Sequence, residues 1–434
     1  MKIKFAHLAD IHLGAWRNEN LNQIGFQAAE IATDKIIQEK VDFVLISGDL
    51  YDLSNPRVEV VDLATKLLKK LKDNGIRVYG ILGSHDFSPS NRSMIRPLVT
   101  AELFTSVSRA KWTDSKKLQL IFTQDPKTKI KITGLRARKR GLEIREYKIL
   151  DLKKIEEETG IKIFLFHTMI YELKPKDFDY LASAPKRFFP KNFHYYAGGH
   201  LHQTYPLKLR TQKSPLSINQ ENNIIYPGSL SPINFSELDM FQYGGFCMVS
   251  GEINEKQAET NLKVEYIPIK VKEVVSIDVN GNKKTIEQVK KIINNKLSKA
   301  EVKNKVILMK IHGSLSSGRA SQINISDIKQ DLKSKGAYEV LIKKTITSSE
   351  VIEINKTQNI QSNEEIEDAI IRESTENIDI ADLPPDIMEK KITQLIEVLG
   401  EKRNEKMKVK DYKKDIEIKA LKLFNLDNME GSFK

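Results

Sequence analysis

Five times along this chain an apolar run ends on a residue type that binds metal, and that recurrence limits the folds open to it. The segments are Phe5-Ala6-His7-Leu8-Ala9-Asp10-Ile11-His12, Leu45-Ile46-Ser47-Gly48-Asp49, Leu82-Gly83-Ser84-His85-Asp86, Phe164-Leu165-Phe166-His167 and Ala197-Gly198-Gly199-His200-Leu201-His202. The runs Ile3–Leu8, Val41–Ser47, Val78–Leu82, Ile161–Phe166 and Tyr195–Ala197 read as strands. Helical stretches within Leu21–Glu39 and from Val58 to Asn74, closed by Gly75, alternate with them. That alternation predicts an α/β layered domain over roughly residues 1–250. In an open α/β sheet, ligands gather beyond the carboxyl ends of the strands, so all five segments aim at one crevice.

Asp10 and His12 are two residues apart, as are His200 and His202, and in extended backbone such pairs point the same way. A single histidine at a strand end is more often structural than ligating. Five strand ends that take five of the eight histidines are not explained that way. Carboxylate with imidazole and no sulfur suits manganese, iron or zinc rather than calcium. Asp49 could bridge two ions about 3.5–4 Å apart, the separation that activates water and clamps a phosphoryl group. His7 lies inside its strand, where a buried hydrogen-bonding role is expected. His194 and His312 fall outside every motif and are expected to be structural.

A second region, 264–347, reads as a smaller α+β module: strands at Val264–Ile269, Val274–Val279, Val306–Ile311 and Tyr338–Thr345, with a helix near Thr285–Leu297. Between Ser349 and Asp382 stand ten acidic residues and two basic ones, the mark of a solvated linker assigned to 348–382. Pro384 and Pro385 open a helical end piece, 383–425. Ile387, Met388, Ile392, Leu395, Ile396 and Leu399 give its first helix one apolar face before Gly400, and a second helix is predicted over Asp411–Phe424. Two short helices beyond a linker need a surface to dock on, and a partner is the expected one.

The chain carries 70 basic and 58 acidic residues, a formal charge of +12, which favours a polyanionic partner without naming one. Arg136, Arg138, Lys139 and Arg140, and later Lys186 and Arg187, are candidate phosphate contacts. The single cysteine, Cys247, excludes an intrachain disulfide and a thiolate metal cluster. No apolar run reaches the about 18 residues of a membrane span, and the amino terminus lacks a leader pattern. A cytoplasmic, nucleoid-associated setting is the expectation.

D-x-H, G-D, G-x-H-D, H and G-H-x-H in this order resemble the calcineurin-like metallophosphoesterases. Phe5-Ala6-His7-Leu8-Ala9-Asp10-Ile11-His12-Leu13-Gly14, and Gly199-His200-Leu201-His202 followed by Tyr226-Pro227-Gly228-Ser229, resemble one branch, the Mre-eleven/SbcD nucleases of double-strand-break repair, in an archaeal-type form. The resemblance implies a layered α/β sandwich metallophosphoesterase domain, a smaller α+β capping domain and a C-terminal helical segment that binds the coiled-coil base of a Rad-fifty/SbcC-type ATPase. It implies two divalent ions, Mn2+ foremost: Asp10, His12, Asp49 and His202 on one, and Asp49, His167, His200 and the residue at 84 on the other. His85 would stand beside the scissile phosphate and Asp86 would orient it. Dimerisation through Val58–Leu71 and Met94–Leu103 is implied too, although the apolar residues of the first helix alone suggest core packing. Position 84 departs from the pattern: Ser84 stands where the family usually has asparagine, and a hydroxyl is a shorter, poorer neutral ligand. The resulting expectation is a manganese-dependent DNA exonuclease and single-strand endonuclease. A general phosphodiesterase or phosphatase, and a DNA-end tether with weakened catalysis, are the alternatives.

Overall fold

Strand periodicity builds the first compact unit. A computed structural model describes residues 1–88, 92–174, 182–212, 214–254, 256–348, 385–400 and 409–423. Its opening elements follow the expected order: strand β1 (Lys2–Leu8), helix α1 (Glu19–Gln38), strand β2 (Phe43–Ser47), helix α2 (Val58–Asp73) and strand β3 (Arg77–Ile81). β1, β2 and β3 pair in parallel. They form the middle of a seven-stranded sheet that ends in Thr105–Ser106 on one side. On the other side, Gly244–Asn254 pairs antiparallel with β1. A second, five-stranded sheet runs Ile224–Ile225, Tyr195–Gly199, Lys162–His167, Lys131–Leu135 and Thr123–Gln124.

Because successive side chains on a strand face opposite ways, each strand of the first sheet feeds two cores. Ile3 and Phe5 of β1, with Phe43 and Leu45 of β2, pack between the two sheets against Ile163, Leu165 and Tyr195. Ala6, Leu8, Val44 and Ile46 face away and meet Ala28, Ala32 and Ile36 of α1 and Val60, Ala64 and Leu68 of α2. A third cluster, including Phe164, Phe166 and Tyr226, covers the outer face of the five-stranded sheet. The apolar stripe of α2 is thus spent mainly on the body, as its spacing suggested. The same parity puts His7 and Ser47 on the inter-sheet face, in line with Phe5 and Leu45.

The expected boundary between residues 250 and 264 needs correction. Glu259–Ile269 pairs along its whole length with Gly244–Asn254 in the seven-stranded sheet. Leu262 and Val264 bury their side chains in the inter-sheet core, so the strand read as the start of the smaller module closes the larger one instead. Among the described residues, the second compact unit comprises Asp278–Ala300, Met309–Gln330 and those that follow Leu341. Its helix Ile286–Lys299 begins at a capping box of Thr285 and Gln288 and buries Ile286, Val289, Ile293 and Leu297. Helices Pro385–Gly400 and Val409–Leu423 form where the proline pair and the apolar spacing put them, and they pack on each other. Ile392 and Leu395 are half-buried and Leu399 is exposed. The side chains of Ile387, Met388 and Ile396, and the acidic stretch 349–384, lie outside the described residues. Among the described residues no helix is long and apolar enough to cross a membrane.

Candidate metal centre

The motif residues converge at the carboxyl ends of the strands of both sheets. Asp10, His12 and His202 present ligand atoms within 4.8 Å of one another, and so do Asp10, Asp49 and His167, and His12, Asp52 and His85. Asp49 joins the halves: its Oδ2 lies 3.1 Å from His167 Nε2 and 3.7 Å from His12 Nε2. Asp10 Oδ1 lies 3.7 Å from His202 Nε2 and 3.9 Å from His167 Nε2.

The backbone reaches this convergence by another route than extended geometry. Asp10 and His12 take left-handed φ values of 49° and 46°, Asp49 one of 52° and His200 one of 84°. These are costly conformations for residues with a Cβ, and they collect where function holds them. The loop after β1 runs beside the loop after β2, with Asp10 N–H donating to the Gly48 carbonyl and His12 N–H to that of Asp49. Gly48, at φ 93°, is needed twice over, since a Cβ there would also strike His167 Nδ1 and the backbone of Gly83.

Four of the ring nitrogens Nδ1 have an obligate acceptor. His12 Nδ1 meets Asp52 Oδ1 at 3.1 Å, His167 Nδ1 the Ser47 carbonyl at 2.7 Å, His202 Nδ1 Glu237 Oε1 at 2.8 Å and His85 Nδ1 the Asp52 carbonyl at 2.6 Å. A carbonyl or carboxylate oxygen can only accept, so these nitrogens carry the protons and a neutral ring presents a bare lone pair at Nε2. Those of His12, His167 and His202 face one another or a carboxylate. His12 Nε2 is 3.2 Å from His202 Nε2, and the buried Nε2 of His167 has no hydrogen-bond partner. Acceptors crowded against acceptors require positive charge between them, and a divalent cation fits the need. Otherwise a proton must serve. Burial disfavours it, but the negative charge of Asp49, 3.1 Å away, with that of Asp10 behind it, pushes the pKa of His167 up to about 10.

His200 and Ser84 are placed differently from the other expected ligands. The His200 ring lies against His167 with centroids 5.2 Å apart, and its backbone N–H donates to both oxygens of Asp10 at 3.0 Å. It stands beside the tight groups rather than within them. Ser84 Oγ is 3.5 Å from Asp49 Oδ2. The expectation that Asp86 orients His85 is corrected. Asp86, buried, takes the backbone N–H groups of Asp49 and Gly83 at 2.9 Å and of Tyr51 at 3.1 Å. It ties the loops after β2 and β3 together, and the Asp52 carbonyl fixes the His85 ring.

His85 is the open member of the cluster, its side chain 46% exposed. It lines a cavity of about 600 Å3 with Asp52, Leu53, Ser54, Asn55, Ser84 and Lys139. Of the basic residues singled out from the sequence, Lys139 reaches this cavity. Arg138 does not serve there, because its guanidinium binds Glu146 Oε1 through Nε at 2.9 Å and Nη2 at 2.6 Å. Arg136 is half-buried, Lys186 and Arg187 are exposed, and the Arg140 side chain lies outside the described residues. Asp52 stood out in the sequence only as a residue with an open role in phosphate handling, and the parts played by Ser47 and Glu237 were not legible. For Glu237 the faint signal is Asn234 three residues earlier, a helix-capping pair whose side chains do bond each other.

His7 has the structural role expected of it. Tyr195 Oη lies 2.9 Å from its Nδ1 and Ser47 Oγ 3.0 Å from its Nε2. The Ser47 hydroxyl is itself spent on the Ala197 carbonyl at 2.9 Å, so the proton on His7 sits at Nε2 and Tyr195 donates to Nδ1. The chain Tyr195, His7, Ser47, Ala197 links the two sheets beneath the candidate metal ligands. His194 is likewise structural, accepting from the Lys162 N–H and donating to the Ala258 carbonyl.

Residues 3–204 match the family described as calcineurin-like phosphoesterase. Three archaeal relatives are each named DNA double-strand break repair protein Mre11. The protein of Methanococcus maripaludis is 27% identical over 304 residues, 68% of this chain and 75% of its own. That of Methanocaldococcus jannaschii is 28% identical over 296 residues, 66% of this chain and 72% of its own. That of Methanopyrus kandleri is 23% identical over 241 residues, 54% of this chain and half of its own. The family match runs from β1 through His202 and so takes in every motif of the centre: the chain carries a calcineurin-like metallophosphoesterase domain, is similar to the Mre-eleven proteins of archaea, and is a metal-dependent phosphodiesterase.

Proposed function

We propose that the phosphodiester is in DNA: that the chain is a manganese-dependent exonuclease and single-strand endonuclease of double-strand-break repair, working with a Rad-fifty/SbcC-type ATPase. The observation that carries the reading is the arrangement of lone pairs. Asp10, His12, Asp49 and His202 would hold one ion and Asp49, His167 and His200 the other, with Ser84 beside Asp49. When bound, such a pair of ions lowers the pKa of water and neutralises phosphoryl charge. The protein's own part is positional. His85, its Nδ1 fixed on the Asp52 carbonyl, offers Nε2 to a phosphate lying in the cavity, and donates from it when the ring is doubly protonated. Lys139 gives that cavity a positive wall for a polyanion.

The relatives' shared name supports DNA as the substrate. The basic surface residues Lys186 and Arg187 are consistent with sequence-independent phosphate contacts. The two carboxyl-terminal helices, with Leu399 exposed, are the segment assigned to the ATPase, and α2 with the helix Ile95–Thr100 to a homodimer. The test is purified chain on labelled DNA with manganese or with chelator. Cutting should need the metal, and His85→Ala should abolish it while leaving metal uptake nearly unchanged. Undiminished cutting by that variant refutes the role given to His85. Equal turnover of a small bis-phosphate ester with weak DNA binding would favour a general phosphodiesterase instead. Activity that arises only on Ser84→Asn would favour a tethering scaffold.

A further inference from the structure

The geometry points to Glu237 as a positioning residue of the metal centre: its carboxylate sets the ring orientation and tautomer of His202. The assignment rests on the metal centre argued above. His202 comes from the loop after Tyr195–Gly199, and its side chain is 20% exposed. The side chains of Asp10, His12, Asp49 and His167 are at most 2% exposed. Tight packing holds those four in place, whereas His202 has water on one side and needs a fixed hydrogen bond to stop its ring turning. Glu237 supplies that bond at 2.8 Å from Nδ1.

Glu237 is itself held at both oxygens. Oε1 accepts from Asn234 Nδ2 at 2.8 Å and Oε2 from the Ile233 N–H at 3.1 Å, while the Glu237 N–H donates back to Asn234 Oδ1 at 2.9 Å. The carboxylate therefore cannot follow a rotating imidazole. It keeps the Nδ1 proton and so presents Nε2 as a lone pair toward Asp10 and His12. His12 is held by Asp52 and His167 by the Ser47 carbonyl, so Glu237 completes a set in which each of these three ring ligands has its own acceptor.

The test uses the full chain in three forms: wild type, Glu237→Gln and Glu237→Ala. Each is titrated with Mn2+ alone, free manganese being read by electron paramagnetic resonance, and metal-free thermal unfolding is followed in parallel. Losing the hydrogen-bond partner of a ligating histidine weakens metal binding roughly 10–100-fold. Glu237→Ala is expected to weaken one of two manganese sites by that factor and leave the other near its wild-type affinity. Glu237→Gln keeps an oxygen for the Nδ1 proton and is expected to stay within a few-fold of wild type, and high manganese should restore DNA cutting by the alanine variant. Wild-type affinity at both sites in Glu237→Ala overturns the assignment. So does equal weakening in both variants with equal loss of metal-free melting temperature, which would mark a packing role only. A wild-type chain that takes up no manganese sinks the metal centre itself, and the assignment with it, so the two failures are told apart.

Discussion

Replacing His7 by glutamine should change the pH dependence of stability more than stability itself. His7 is wholly buried, and burial, only partly offset by a hydrogen bond at Gly198, lowers its pKa from 6.5 to about 3. Its two neighbours require the neutral ring, since Tyr195 donates to Nδ1 and the Ser47 hydroxyl is engaged elsewhere. Between pH 6.5 and about 3 the unfolded chain therefore binds a proton there that the folded chain refuses. Stability tied to this residue is present above pH 6.5 and is lost as the pH falls below it. From pH 7.5 to pH 5 the loss comes to about 2 kcal/mol, at about 1.4 kcal/mol per pKa unit. His7→Gln keeps one donor and one acceptor but cannot titrate, so it should cost about 1 kcal/mol at pH 7.5 from imperfect hydrogen bonding. At pH 5 the variant should equal or exceed the wild type. Urea unfolding of both chains with chelator present, followed by circular dichroism at pH 7.5, 6 and 5, measures the difference directly. A stability gap that stays constant over that range refutes the placement of a neutral, buried imidazole between the sheets.

Asp86→Ala leaves the backbone N–H groups of Asp49, Tyr51 and Gly83 without their acceptor. It should destabilise the chain by about 3 kcal/mol or more, at about 1–3 kcal/mol for each orphaned group; a loss under about 1 kcal/mol in urea unfolding would argue that those loops are held otherwise. Gly48→Ala forces a Cβ into the His167 ring at a left-handed backbone position, so manganese uptake should fall far more than helix content, and unchanged uptake would contradict the close approach. Manganese at 100 times its dissociation constant should raise wild-type stability by about 2.7 kcal/mol for each ion bound. His167→Ala should forfeit the gain of the one site that His167 serves, which calorimetric melting with and without metal will show.

The candidate ligands were readable because strand ends repeat a local pattern: an apolar run of period two, then Asp or His, with glycine where the chain turns. Parity along the strand also announced which residues share a face, and that is enough to bury His7 and Ser47 together between the sheets. The helical tail was readable for a similar reason, since the proline pair, the three- and four-residue apolar spacing and Gly400 are all local. What holds the ligands was not readable. Asp52, the Ser47 carbonyl and Glu237 reach their histidines from positions forty, one hundred and twenty and thirty-five residues away, and no local pattern encodes those meetings.

Tertiary structure also decided two matters that no local pattern could. Pairing of Glu259–Ile269 with Gly244–Asn254 is a choice of register between strands, and it moved a strand from the smaller module to the larger sheet. Arg138 and Lys139 are neighbours of equal charge in one basic run, yet Glu146 takes the first and the second faces the cavity. By itself the sequence determined which residues could meet a metal, because residue type and strand period are properties of the chain. Only the fold decided which nitrogen of each imidazole carries the proton, because that depends on the acceptor brought to the other side of the ring.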